Sequence, residues 1–444
     1  MAEQRYVNVD RKTQMLMPPD MRDWVAKDDM VHFVMEVVES TPLTGVKIRA
    51  HGGGSPAYPP SLMMGLLIYA YAHGIFSGRL IEQATHHHVS IRYLCANLHP
   101  DHDTICTFRR ENRALIKGVF GQVLKLAGTM GLLKVGTVCV DGTKLLANAA
   151  KRRTKENEQL EQAEQRIQQK IDELLAQAEK ADANPDSGEG ALPEELTNRE
   201  RLKEKVAQAR ALLAEATEKR AEARDKERAQ WQENPIGDAP GKLSKEPRPK
   251  DRINLTDPQS VLMPMKSGGY APGYNAQLAS TGQSCGLIVA THVCQQTNDR
   301  QQLAPMADLI KAAVPTVEEI VVDTGYDHAG QIDRVERAAK VKVYCAPQEA
   351  AAQEGTPKGR MSRARKRSME VRTQMKERAA SERGKELLKM RSMTVEPIFG
   401  MIKTVLGFKR FSLRGLEKVS TEWELVALAF NCRRIARQRG NQNN

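Results

Sequence analysis

Between residues 155 and 231 the chain is built almost entirely from Glu, Lys, Gln, Ala and Arg, and its few apolar side chains fall on a helical seam. Leu160, Ile167 and Leu174 recur every seven residues, with Ala163, Ile171 and Ala178 filling the same stripe. A second run carries Leu202, Val206, Ala209, Leu213 and Ala216 before Arg220 interrupts it. The stretch 182–190 between them holds Pro and Gly, which break helices. An antiparallel helical hairpin with a narrow seam is therefore expected. What flanks it is different in kind. Val135-Gly-Thr-Val-Cys-Val140 precedes it, and the runs 274–280, 286–294, 319–323 and 341–346 follow it, all short and, apart from 274–280, rich in β-branched residues. With amphipathic helices at about 299–310 and 329–339 between the later runs, the order is strand, insertion, strand, strand, helix, strand, helix, strand. A hairpin standing inside one sheet restricts the chain to an α/β core with an insertion at 155–236.

Ahead of the first strand the pattern is helical. Apolar stretches at 29–40 and 61–73, a plausible cap at Ser77 for 78–87, and Asp103 or Thr104 before a helix through 108–117 describe an all-α region over residues 1–130. In its last helix Arg109, Arg113 and Lys117 are spaced by four, with Arg110 adjacent, so the cations are expected along one face. Such a stripe suits phosphate contacts, and equally an ordinary solvated face. The whole chain points the same way, since 67 Lys and Arg against 55 Asp and Glu leave +12 at pH 7, the balance of a protein with a polyanionic partner. Aromatic residues make up only 5%, which argues against stacking on single strands as the main mode of binding.

Other classes are disfavoured. The longest apolar run, 61–76, contains His73 and falls short of the roughly 20 residues a bilayer needs. No secretory pattern opens the sequence, so a soluble cytoplasmic protein is expected. The seven cysteines are scattered and never form a CxxC pair, and are expected as buried thiols. His86, His87 and His88 fan over about 200° of a helix, so they are not expected to share one ion, even with His99 and His102 in the sequence.

Two of the strand runs end in carboxylates, Asp141 and Asp323, and acids at the carboxyl ends of neighbouring strands meet at the edge where open α/β sheets bind ligands. For Asp141 the Asp-Gly pair also reads as a turn former. Glu396 opens Val395-Glu-Pro-Ile-Phe-Gly-Met-Ile-Lys403, with Pro397 expected in a first helical turn, and Glu396 and Lys403 are seven apart, hence nearly in line. Three clustered carboxylates call for hard divalent cations, Mg²⁺ or Mn²⁺, and two ions at about 3.5–4 Å can drive an in-line displacement at phosphorus. Lys403 then contacts a phosphate. The segment 350–391 is intensely basic and expected to be solvated or to face nucleic acid.

These residues resemble the DDE transposases of bacterial insertion sequences. The resemblance rests on Ser77-Gly-Arg79, Glu82, Pro100-Asp-His-Asp-Thr104 with Phe108-Arg109-Arg110, Val140-Asp-Gly-Thr143 with Ala147-Asn148-Ala149, Gly273-Tyr-Asn-Ala-Gln277, Asn298-Asp299, Val322-Asp-Thr-Gly-Tyr326 and Val395 to Lys403 with Gly407-Phe408. It implies an α/β fold: a ribonuclease H-like mixed-sheet core with an inserted helical hairpin, preceded by an all-α DNA-binding domain. The core is expected at 131–154 and 237–349, completed by carboxyl-terminal helices at 392–444. It also implies Asp141, Asp323 and Glu396 as metal ligands and Lys403 as a catalytic residue, with DNA contacts expected at Arg109, Arg110, Arg113, Lys117 and Arg391. Arg391 lies five residues before Glu396, offset from the family spacing, and Lys389 stands where a Tyr is expected. The implied partners are double-stranded DNA, as element ends and target, and further copies of the chain in a homodimer or larger synaptic complex, at the bacterial nucleoid. Two rivals remain open: a catalytically silent DNA-binding relative, and a metal-dependent nuclease without strand transfer.

Overall fold

The structure is a computed structural model. It describes residues 20–442 apart from 44, 48–55, 134–135, 183–191, 267, 283–285 and 347–360, so the expectations placed on Val135, the break within the hairpin, Cys285 and the first part of the basic segment, 350–360, lie outside the described residues.

The chain begins with helices α1 (Met30–Ser40), α2 (Pro60–Ala72), α3 (Gly78–His87), α4 (Val89–Leu94), α5 (His102–Glu111) and α6 (Arg113–Thr129). Helix α2 is apolar all round, which is the mark of a helix with no solvent face. Accordingly every residue from Met63 to Ala72 is buried. The caps are acidic: Asp29 accepts from the Val31 amide, and Asp101, not the expected Asp103 or Thr104, accepts from Thr104 N at 2.9 Å.

Strand β1 (Thr137–Leu146) starts the sheet, and β2 (Thr154–Glu156) leads into α7 (Asn157–Asp182) and α8 (Leu192–Glu233), which β3 (Arg252–Asn254) closes by pairing back on β2. Arg210 reaches Glu161 and Glu164 while Lys203 reaches Gln168, so the two arms run antiparallel, as the seam implies. The hairpin keeps a small core of its own around Leu160, Ile167, Ile171, Val206 and Leu213. The sheet then resumes with β4 (Val261–Pro264), β5 (Tyr270–Thr281) and β6 (Ile288–Cys294), followed by α9 (Leu303–Ala313), β7 (Glu319–Val322), α10 (Ala329–Ala339) and β8 (Lys342–Cys345). The order is β4-β5-β1-β7-β8 with β6 also paired to β5, antiparallel between β1 and β5 and parallel from β1 to β7 to β8. This is the mixed sheet expected of a ribonuclease H-like core.

Three helices complete the chain: α11 (Arg363–Ala380), α12 (Glu382–Gly400) and α13 (Leu416–Gln442). The described part of the basic segment is thus helical. Ser362 caps α11 at Arg365 N and Ser381 caps α12 at Gly384 N, and Glu, Lys, Ala, Met and Arg between those caps are good helix formers. Helix α13 packs on α2, α6 and β6 at once, so the amino-terminal helices and the sheet share one hydrophobic core. Asn431 of α13 bonds both the amide and the carbonyl of Ile288, at 2.9 and 2.7 Å, and Trp423 Nε1 donates to Gln277 O at 2.8 Å. The helical region is therefore built onto the core, not strung beside it.

Gly74 shows how close the join is. It sits at φ +77°, and a Cβ there would lie 2.7 Å from the Leu406 carbonyl oxygen. Gly74→Ala is expected to cost about 1–3 kcal/mol, from left-handed strain and the clash together, and a denaturant titration checks it. An unchanged midpoint would show that the two segments do not press on each other.

Candidate active site

Asp141 does not end its strand. The Asp-Gly pair lies in the middle of β1, with Asp141 opposite Leu278 and Gly142 opposite Gln277, because the pairing with β5 runs on to Leu146. Gly142 is needed for a close approach, not a turn. A Cβ at Gly142 would collide with the Gln277 amide and stand 2.7 Å from Asp299 Oδ1. Asp323 does follow its strand, capping the short turn Thr324–Tyr326 by accepting from Gly325 N at 2.9 Å. The β1–β7 register pairs Thr137 with Glu319 and Cys139 with Val321; continued along the strands, it sets Asp141 beside Asp323. Neighbouring strands lie about 4.8 Å apart, so two acids at one level on one face repel each other.

At Asp141 that repulsion adds to the effect of burial. Burial, then the Asp323 charge, pushes the Asp141 carboxyl up to about 6, against the pull of Arg391. Burial likewise raises Asp323, opposed by Arg391 and aided by Asp299.

Glu396 comes from α12, where it lies well inside the helix and not at its start, and Pro397 is an interior proline. Without an N–H, Pro397 cannot complete the ladder to Met393. A wide turn, Met401–Val405, follows directly and carries Lys403. Lys403 is thereby brought to β1, where its ammonium donates to Thr143 Oγ1 and, at 3.2 Å, to Lys144 O. Burial and then the neighbouring Lys266 charge lower its pKa to about 8, with Asp141 pulling the other way.

Arg391 joins these parts. Its Nη1 lies 3.2 Å from Asp141 Oδ2 and its Nη2 lies 3.6 Å from Glu396 Oε1, with the Asp141 and Arg391 side chains largely buried and Glu396 exposed. Among the described residues no three His, Cys, Asp or Glu side chains are close enough to hold a metal ion as placed. Arg391 stands between the acids instead. The donor set itself, carboxylate oxygens and no sulfur or imidazole, suits a hard divalent cation.

Asp299 is the residue whose place in the site the sequence reading missed. Its Oδ1 accepts from Asn275 Nδ2 at 2.7 Å and Gln277 Nε2 at 2.6 Å, and its charge bears on Asp141 and Asp323. The buried Tyr326 hydroxyl donates to the oxygen of the same Gln277. The signal was weak, because Asp323 directly follows β7 while Asp299 lies five residues beyond the end of β6. It reads instead as a helix opener, whereas α9 begins only at Leu303 with Gln302 at its cap.

The expected stripe of cations is not formed. Asn112, at φ −107° and ψ 46°, separates α5 from α6, so residues 109–117 are not one helix. Arg109 is a correction: it is only 3% exposed, donates to Tyr71 OH at 2.6 Å and Phe76 O at 2.9 Å, and faces the buried Glu422, so it does not present itself to phosphate. Arg110, Arg113 and Lys117 stay on the surface, Arg113 at 3.3 Å from Glu417. The histidines form contacts of their own, His86 stacked on His99 and His102 bonded to Glu82 at 2.8 Å. Cys95, Cys139, Cys294, Cys345 and Cys432 are buried free thiols, as expected, and Cys106 is half-buried. No helix among the described residues is long and apolar enough to cross a membrane.

Acids delivered by adjacent strands of a mixed sheet, facing a glutamate on a late helix, define an α/β protein of the ribonuclease H-like kind. Residues 19–111 match the family described as Transposase domain (DUF772), and residues 326–436 match the family described as Transposase DDE domain. Together the two matches support a DDE transposase of the insertion-sequence type. The second match takes in Arg391, Glu396 and Lys403 and begins just after Asp323, so the two aspartates rest on the geometry. No curated protein and no solved structure matches the chain.

Proposed function

We propose that the protein binds the ends of an insertion sequence, cleaves them, and joins the freed 3′-hydroxyls to target DNA by phosphoryl transfer at Asp141, Asp323 and Glu396. The observation that supports this reading is Arg391 paired with both Asp141 and Glu396, its charge also bearing on Asp323. Asp141 and Asp323, half-buried on adjacent strands and each made harder to ionise, form a pair that a bound cation would relieve. Mg²⁺ or Mn²⁺, two ions in the full site, would supply the charge that activates water or a 3′-hydroxyl and stabilises the leaving 3′-oxygen.

The chain's own residues do the rest. Asp141 and Asp323 hold the site at the sheet, and Glu396, exposed on α12, closes it from the other side. Arg391 turns from the carboxylates to a phosphate of the bound strand, exchanging one charged partner for another. Lys403, anchored at Thr143 and Lys144, holds a phosphate oxygen near the cut and is not the base. Arg110, Arg113 and Lys117 meet the DNA backbone on the helical region. Two element ends must be held together, which makes a homodimer or larger synaptic complex the working form.

The test is incubation of the full chain with DNA carrying the flanking repeats and Mn²⁺, with the products mapped. Nicks at the repeat boundaries together with joined products are expected. Nicks without joining would make the protein a nuclease, and binding without nicks a silent DNA-binding relative.

A further inference from the structure

Apart from Arg363 and Lys366, exposed on other sides of the helix, the cations of α11 fall into two sets. Arg367 and Arg378 face inward as clamps, Arg367 on Asn234 Oδ1 at 2.7 Å and Arg378 on Val343 O at 2.8 Å and on Glu336. Arg365, Arg372 and Lys376 face outward, at positions i, i+7 and i+11, which on a helix fall within roughly 60° of one another. Glu370 and Glu377, the acids of this helix, lie roughly 100–140° round from that stripe. Arg365 and Lys376 make no side-chain hydrogen bond or ion pair among the described residues. A solvated helix of this length would be expected to pair such charges with acids three or four residues away, and here the outward face carries none.

The stripe also has a definite place. Arg372 Nε is 4.0 Å from Asp327, which follows Asp323 by one short turn. Arg300, exposed and next in sequence to Asp299, acts together with Arg372 on His328 at the start of α10. Cations from two separate elements thus gather beside the segment that carries Asp323 and Asp327.

We propose that the outward face of α11, continued by Arg300, is a phosphate track that carries duplex DNA past the carboxylates without reading its sequence. Arg365 to Lys376 spans roughly 16 Å of helix, the axial rise of about five base pairs. The spacing fits contacts to one strand's backbone on either side of the scissile position. Exposed Met369, between Arg365 and Arg372, adds an apolar contact to the sugar edge. This inference rests on the transposase reading and adds which surface holds the DNA next to the cut.

The experiment measures binding of a duplex lacking any element sequence by fluorescence anisotropy, between about 50 and 200 mM KCl, where counterion release sets the slope. Three chains are compared: the parent, the triple variant Arg365→Gln, Arg372→Gln and Lys376→Gln, and a control of equal charge change on the hairpin, Arg166→Gln, Arg201→Gln and Lys205→Gln. All six positions are on the surface, and matching melting curves confirm that each chain is folded. The slope of log affinity against log salt is expected to become less negative by about 3 in the α11 variant, and to stay at the parent's value in the hairpin control. A parental slope in the α11 variant overturns the track, as does an equal change in both variants, which would reflect net charge alone. A parent chain with no affinity for DNA overturns the transposase reading and the track with it. A parent that binds DNA but never cuts it removes the chemistry and leaves the track standing.

Discussion

Asp141→Asn is expected to lower DNA cleavage by at least about 10³-fold, equivalent to roughly 4 kcal/mol of activation free energy, while affinity for the element's ends stays within a factor of about two. The substitution keeps the shape and removes only the charge and its acceptor strength. Asp141 is the hub of the site, beside Asp323 on the sheet and within 3.2 Å of Arg391, so its neutral isostere removes the oxygen that most needs a cation. In the metal-free chain the same change also relieves a repulsion. Asp141→Asn should therefore be no less stable than the parent, and a small rise in melting temperature accompanies the lost activity. That pairing of lost cleavage with retained or increased stability separates a catalytic acid from a structural one. Measured nicking at parental rates, or a marked drop in stability, would remove Asp141 from the trio. Asp323→Asn and Glu396→Gln are expected to behave alike in cleavage.

How far the site could be read from the chain depends on which forces set each residue. Asp323 was legible because a short β-branched run followed by a polar turn has one reading, a buried strand that delivers its next side chain to the sheet edge. Asp141 was legible as an acid but misplaced along its strand. The reason is tertiary: Gln277 and Asp299 fill the space a side chain at Gly142 would take, so the glycine serves the strand and not a turn. Glu396 was found by its surroundings, yet Pro397 misled about the helix start, since a proline inside a helix looks like one at its beginning until the upstream caps are known. Arg391, five residues from Glu396, looked out of register. The sheet brings Asp141 to it regardless of that spacing. What no periodicity could supply was the burial of Arg109, because the residues that neutralise it lie far along the chain.

The second large effect follows from that burial. Glu422→Leu is expected to destabilise the protein by about 3–5 kcal/mol, the usual cost of leaving one half of a buried ion pair alone. Glu422 is wholly buried and accepts from Tyr71 OH at 3.1 Å and from the amides of Ser412 and Leu413 at 2.8 and 3.0 Å, with Arg109 Nη1 at 3.8 Å. Tyr71 belongs to α2, Arg109 to α5 and Glu422 to α13, so this network is the polar half of the joint between the helical region and the core. Without the carboxylate, the guanidinium keeps its charge while buried, and two amides and a hydroxyl lose their acceptor. Arg109→Met should be costly as well, and the double variant Arg109→Met, Glu422→Leu should cost less than the two single effects added, because two apolar groups leave no charge unpaired. Denaturant titration of the four chains gives the coupling. Additive losses would show that Arg109 and Glu422 act independently. Folded Arg109→Met, assayed for DNA at several salt concentrations, should keep the parental slope, since an interior guanidinium releases no counterion; a flatter slope would mean that Arg109 reaches phosphate after all, and that the joint opens when DNA binds.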